Sequence, residues 1–501
     1  MKKRIISGII VFALVITGIN SVLLLFLPAF NTRDDSRTLI YNNAVIGQKG
    51  YYINGTPYLP VSMIGTYARN SGTSVDQLNK RLVINLSAQN IMMADEATTN
   101  FIKTYGGNIY IPLRDINGSL YFPLNTTGQL FKITYTLSDS SIKMEAISGI
   151  DKVTKLDLSK LDFYEPKKMK SKSGSEKISL AWDCVSGISP SAPALKYKGL
   201  DILSPTWFHL MVDGDGSVEN YGDKGYTDTS HINGYQVWAT ITNNMSTKGS
   251  TAFTTKTFNN SELLNKSVAQ YIFYSCLYDV DGINIDYEDV ADGDAVGLVA
   301  FTALMRSYTE RQGLVLSIDT LIPRPWTVEY DRASLSNYVD YLALMTYDEH
   351  YSGSPDAGSV SSLPWAEDAV KATLTEVPAS KVLMGVPLYT RIWTVDSTGK
   401  IISNPAAKME TVRNTLQSKN ITPVWLNAEK QYYAEYSDGV NTGKIWIEDS
   451  RSIANRLNLI TKYQLAGAAC WQLNQGETQI WDVFDGMLKQ GKPLNDYEKP
   501  Y

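Results

Sequence analysis

The chain has 501 residues, which at roughly 100–200 per domain allows two or three domains. A hydrophobic share of 44% and a charged share of 19% are those of an ordinary globular protein and allow sizeable cores. The formal net charge of −5 argues against nucleic acid as the main partner, because phosphate binding needs clustered Lys and Arg.

At the N-terminus, Lys2, Lys3 and Arg4 precede an apolar run from Ile5 to Phe30. At ~1.5 Å per residue that run exceeds the ~30 Å hydrocarbon core of a bilayer. It is longer than the ~7–15 residues of a signal-peptide core, and it lacks a clear small-x-small cleavage site. Positive charge stays inside. Residues 1–37 are therefore expected to be a cytoplasmic tip and one N-terminal transmembrane helix, a signal anchor in the cell membrane. The rest of the chain would be extracytoplasmic. The alternative is a cleaved signal and secretion.

Residues 38–150 read as a small strand-rich domain, with alternation in RLVINL (81–86) and FKITYTL (131–137). A short pattern recurs: Tyr58-Leu59-Pro60-Val61, Tyr110-Ile111-Pro112-Leu113 and Tyr121-Phe122-Pro123-Leu124. Its spacing resembles the stalk module known as the copper amine oxidase N-terminal-like domain, which implies a spacer or wall-contacting role. The segment has no His and no Cys, so copper has no usual ligands there. Residues 151–176 read as a linker, including the basic, Ser-rich stretch that begins at Glu165.

All ten tryptophans, three histidines and three cysteines lie from Trp182 onward. The cysteines (Cys184, Cys276, Cys470) show no metal spacing and read as buried free thiols. His209, His231 and His350 form no metal-binding motif, so no metal and no cofactor are expected. Eight apolar strand-like runs follow: 178–185, 202–212, 235–242, 282–288, 314–321, 341–348, 382–389 and 466–473. Helical patterns intervene, as in 295–313 and 451–463. Repeated βα units of this length indicate an α/β fold, a (β/α)8 TIM barrel over 177–490, with chemistry at the C-terminal ends of the strands. A small α+β insertion is expected after strand seven, at about 394–445. There Trp425, Tyr432 and Tyr433 either wall a groove or form their own core. Residues 491–501 are a tail.

In 282–288, GINIDYE, one face carries Gly282, Asn284, Asp286 and Glu288, and the other Ile283, Ile285 and Tyr287. The aliphatic face suits covering helices. The polar face then lines the barrel interior, where polar groups are costly unless they bond each other or a ligand. A calcium loop fails on spacing. A solvated charge run does not explain the strict alternation.

These residues are similar to the DGxDxDxE signature of glycoside hydrolase family 18, the chitinase-like family. Met345-Thr346-Tyr347-Asp348 matches its M-x-Y-D. Gly385-x-Pro387-x-Tyr389-x-Arg391-x-Trp393 resembles its strand seven, as a single face. Trp471 resembles its strand-eight tryptophan. The resemblance covers about 310 residues and looks closest to bacterial cell-wall and spore-associated members. It implies a retaining, substrate-assisted hydrolase of β-1,4-linked N-acetylhexosamine glycans: peptidoglycan or spore cortex first, chitin-type oligomers second. Glu288 would be proton donor and then base. Asp286 would hold the acetamido N–H, Tyr347 would donate to the acetamido oxygen, and Trp471 would floor the sugar site. Asn284, Met345, Asp348, Tyr389, Arg391 and Trp393 complete the expected substrate-binding set. Asn284 stands where the family has the first Asp of DxDxE, and its amide would donate a hydrogen bond to Asp286. The alternative reading is a catalytically inactive glycan-binding protein of the envelope. Oligomeric state cannot be read from the sequence.

Overall fold

The computed structural model describes residues 35–497, apart from 68–71, 90, 129, 132, 147–155, 158–176, 188 and 213. The expected anchor and most of the linker lie outside the described residues. Among those described, no helix is long and apolar enough to cross a membrane.

The N-terminal unit is built on a seven-stranded sheet in the order 133–137, 141–146, 36–41, 44–53, 56–60, 119–123 and 114–116. A three-stranded sheet and the helix Glu96–Tyr105 complete it. The recurring Tyr-x-Pro pattern has a structural basis. Strands Thr56–Pro60, Asn108–Pro112 and Ser119–Pro123 each end on the pattern's proline. Proline cannot donate to a ladder, so it suits a strand end. The residue before each proline (Leu59, Ile111, Phe122) is fully buried in the core.

The eight apolar runs each contain one strand of a closed parallel barrel: β1 (Ile178–Asp183), β2 (Ile202–Leu210), β3 (Gln236–Thr242), β4 (Gly282–Asp286), β5 (Val315–Thr320), β6 (Tyr341–Leu344), β7 (Val382–Pro387) and β8 (Gly467–Trp471). Each pairs with its neighbours in the chain, and β8 closes the circle onto β1. Period two splits each strand between two cores. Leu180, Trp182, Trp238, Val315, Ala343 and Ala469 fill the barrel interior. Ile283 and Ile285 instead join the outer core against the helices. Gly282 has no side chain because a Cβ there would meet the Trp238 indole at 2.9 Å. Trp238 in turn stacks on Tyr341 with centroids 5.6 Å apart, closing the lower barrel.

Helices α1 (Ser261–Leu277), α2 (Ala295–Thr309) and α3 (Ser450–Lys462) belong to the outer ring. α1 starts where the Asn260 side chain accepts from the Glu262 and Leu263 amides. α3 starts on a capping box between Asp449 and Ser452.

Between β7 and β8 lies an α+β insertion of strands and one helix, Met409–Ser418. Its strands run from Tyr389 to Ile447, wider than 394–445. It has its own core of Ala407, Val412, Leu416, Tyr432, Ala434, Ile445 and Ile447. Trp425 packs edge-on against Tyr432, with Arg451 over its ring at 3.7 Å.

The N-terminal unit docks on the barrel through specific contacts. The Tyr110 amide donates to the Tyr274 hydroxyl (2.8 Å), and Asn220 Nδ2 donates to the Tyr110 carbonyl (2.7 Å). Phe101 stacks on Tyr308 with centroids 4.0 Å apart. All three cysteines are free thiols.

Candidate active site

The inward face of β4 rises through the barrel in layers. Above Gly282 sits Asn284, fully buried. Its Oδ1 accepts from Trp182 Nε1 (2.8 Å) and Thr240 Oγ1 (3.3 Å). Its Nδ2 donates to Ser317 Oγ (3.0 Å) and Asp319 Oδ1 (2.7 Å). An amide offers two donors and two acceptor sites, and all four are used. This corrects one expectation: Asn284 bonds Asp319 rather than Asp286, and its side chain is fully enclosed by these partners.

The next layer holds two carboxyls. β4 and β5 pair Ile285 with Ile318, so Asp286 and Asp319 stand side by side at the following register position. Both are at most 5% exposed. Burial first, then the charges of Glu288 and Asp319, push Asp286 well above the usual carboxylate range. Asp319 is raised too, by burial above all, against the opposing hydrogen bond from Asn284. Like charges in a dry site resist joint ionisation, so Asp286, Asp319 and Glu288 titrate together rather than singly.

Glu288 follows the strand, at the mouth. Burial, with Asp289 and Asp348 adding negative potential, raises its carboxyl to about 7. Its backbone is pinned from both sides. The Glu288 amide donates to Asn243 Oδ1 (3.1 Å), and Asn243 Nδ2 donates back to the Glu288 carbonyl. The Tyr330 hydroxyl donates to the adjacent Tyr287 carbonyl (2.9 Å).

Aromatic rings complete the cavity. Tyr347 lies near-parallel to Trp471 with centroids 6.4 Å apart, and Trp182 leans on Trp471 at 5.9 Å. Burial and the three carboxylates hold the Tyr347 phenol well above its ordinary range, so it stays a donor. Met345, just past β6 and of the same parity as Tyr347, is buried. At the rim, the Tyr389 hydroxyl donates to Asp348, and Arg391 lies 3.9 Å from the same carboxylate. Arg391 also donates to the Asn404 carbonyl (2.8 Å). Asp348 takes a left-handed backbone, φ 60°, an uncommon state for a non-glycine residue.

The structure thus gathers Asp286, Glu288, Tyr347 and Trp471 in one cavity, with Met345 beside them and Asp348, Tyr389 and Arg391 at its edge. Trp393 is elsewhere. It is fully buried, and its indole N–H donates to the Gly358 carbonyl at 2.9 Å. The expected single face from Gly385 to Trp393 is broken, because the chain leaves β7 at Pro387 and starts an insertion strand at Tyr389. Sequence reasoning missed Asp319, Asn243 and Tyr330. For Asp319 the signal was present: Val315, Ser317 and Asp319 share one parity in β5, as Asn284 and Asp286 do in β4.

A near-neutral acid, a neighbouring carboxyl pair, a phenol donor and an aromatic floor can protonate a leaving oxygen and stabilise positive charge on a sugar. At the C-terminal mouth of a (β/α)8 barrel, this fold and site define a glycosidase. The model of the glycosyl hydrolases family 18 matches residues 226–476, half of the sequence, and the chain belongs to that family. It is 26% identical over 283 residues to the "Putative sporulation-specific glycosylase YdhD" of Bacillus subtilis (strain 168), covering 54% of this chain and 65% of that one. It is 29% identical over 212 residues to the cortical fragment-lytic enzyme of the same organism, covering 41% and 49%. The chain therefore spans from about half to just under two thirds of these relatives' length. The crystal structure of the Bacillus megaterium QM B1551 spore cortex-lytic enzyme SleL superimposes with a TM-score of 0.56 at 20% identity, over 63% of this chain and 74% of that one.

Proposed function

We propose that the protein hydrolyses β-1,4-linked N-acetylhexosamine glycans of the bacterial envelope with retention of configuration. Peptidoglycan or spore cortex is the first choice of substrate and chitin-type oligomers the second. The observation that carries this reading is Glu288, held near 7 at the barrel mouth beside the Asp286–Asp319 pair.

In the proposed reaction the substrate's acetamido oxygen attacks the anomeric carbon, and the glycosidic C–O bond breaks as Glu288 gives its proton to the leaving oxygen. The resulting oxazolinium is positively charged. Asp286 accepts from the acetamido N–H and balances that charge, and Tyr347 donates to the acetamido oxygen. Water then opens the ring, losing a proton to Glu288. Trp471 stacks on the apolar sugar face. Asp319, held by Asn284, supplies the second inward carboxyl that the position of Asn284 lacks.

The relatives' names, which refer to sporulation and spore cortex, support an envelope substrate for this chain. The apolar run from Ile5 to Phe30 supports a membrane anchor, with the N-terminal unit as its stalk. The test is to incubate the full chain with purified peptidoglycan and with chitin, then count new reducing ends and identify products by mass spectrometry. Release from either that is lost in Glu288→Gln is the expected result. Binding without turnover would instead make this a glycan-binding protein.

A further inference from the structure

A cavity of about 480 Å³ lies between the N-terminal unit and the barrel, away from the catalytic carboxyls. That is within the roughly 300–1,000 Å³ of small-ligand sites. The N-terminal wall brings Tyr58, Tyr110, Arg81 and Arg114, and the barrel wall brings Tyr221 and Asp223.

The lining's charges are largely answered within the protein. Arg81 pairs with Asp76 at 3.0 Å while its guanidinium covers the Tyr110 ring at 4.3 Å. Asp223 accepts from the Gly225 amide at 2.7 Å. Arg114 lies against the Tyr58 ring at 5.5 Å. The groove therefore offers the half-buried Tyr221 ring, two guanidinium planes already stacked on Tyr58 and Tyr110, and directional polar groups rather than net charge. That combination suits a pyranose ring, whose C–H face stacks and whose hydroxyls bond, better than a phosphate.

The groove's lining also reaches the catalytic end of the barrel. Gly187 and Ser189, in the loop leaving β1 at its catalytic end, line it. Three residues past Asp223, the Tyr226 hydroxyl donates to Asp183 (2.9 Å), the last residue of β1. Asp183 also accepts from Asn474 (3.0 Å), three residues past Trp471. The contacts of Tyr110 with Tyr274 and Asn220 hold the groove's two sides in fixed relation.

We propose that this groove is a second glycan-binding site, which takes a short stretch of an N-acetylhexosamine chain and tethers a polymeric substrate beside the catalytic cleft. The proposal rests on the function stated above. A tether adds affinity for a polymer through effective concentration and adds little for a short oligomer.

The experiment uses the full chain carrying Glu288→Gln, titrated calorimetrically with the N-acetylglucosamine tetramer and, separately, with peptidoglycan glycan strands. Two binding events are expected with at least one of them, and the pair of ligands tells which glycan the groove takes. Adding Arg114→Ala and Tyr221→Ala should remove the weaker event. In the otherwise wild-type chain, the same changes should raise the ratio of KM on polymer to KM on tetramer by about fivefold. Asn79→Trp, an exposed position at the groove, should act alike by filling it without removing a packed ring. A single binding event with both ligands, or an unaltered KM ratio in both variants, overturns the proposal alone. A chain that neither binds nor cleaves any of these glycans overturns it together with the proposed function.

Discussion

Asn284 Nδ2 donates to Asp319 Oδ1 at 2.7 Å, across the gap between β4 and β5. A carboxamide at this position fixes a carboxylate from the next strand, which then faces Asp286. Asp319 and Glu288 oppose each other's ionisation, so replacing Asp319 by Asn should let the Glu288 carboxyl fall. The alkaline limb of the pH–rate profile should therefore move to lower pH, with kcat down by about tenfold. A steady-state pH profile checks this. An unmoved limb would show that Asp319 does not communicate with Glu288.

Asn284→Asp reverses the sign. The new carboxylate still accepts from Trp182 and Thr240, which favour its ionised form. Added negative charge raises Glu288, so the alkaline limb should move to higher pH while turnover persists. Complete loss of activity would mean that the donated hydrogen bond to Asp319 is indispensable.

Glu288 also links stability to pH. Its folded carboxyl is raised from 4.5 to about 7. Its contribution is therefore fully present below the unfolded value and is lost as pH climbs through 7. Glu288→Gln should raise the melting temperature at pH 8, by about 1–3 kcal/mol of stability, with the gap closing near pH 4.5. Thermal melts at the two pH values decide it.

Behind Tyr347 lies a buried ion pair, Arg456 with Glu448 at 2.8 Å, both about 1% exposed or less at the side chain. Arg456 also donates to the Ser361 carbonyl, and Ser361 Oγ donates to the Thr346 carbonyl at 2.8 Å. Arg456→Met strands a buried carboxylate and should cost about 3–5 kcal/mol. Pairing it with Glu448→Gln should recover part of the loss. Denaturant unfolding of the single and double variants is the measurement.

Tyr347→Phe keeps the ring against Trp471 and removes only the hydroxyl. The expected result is a kcat lower by about 10–100-fold with KM little changed, since in the proposed mechanism the donor acts mainly on the developing oxazolinium. Trp471→Ala should instead raise KM as well. Michaelis parameters on a chromogenic oligosaccharide separate the two.

Much of this was legible in the chain. Eight apolar runs separated by helical patterns located all eight barrel strands, because a strand covered on both faces reads as a near-continuous apolar segment. Period two within 282–288 put Asp286 and Glu288 inward, and it would have flagged Asp319 beside Ser317 had it been applied to β5. It misled at Trp393, since a period-two run can pass from a barrel strand into an insertion strand without any change of pattern.

What the sequence by itself determined is the barrel, its closed order of βα units and the parity of its inward carboxyls, all of which are local consequences of side-chain spacing. Tertiary structure alone decided which partners those carboxyls meet. Asn284 faces Asp319, 35 residues away, because β4 and β5 pair in one register. The N-terminal unit and the barrel enclose a groove because Tyr110 meets Tyr274 and Asn220, more than a hundred residues distant. Register between strands and docking between domains depend on contacts far apart in the chain, which no local pattern encodes.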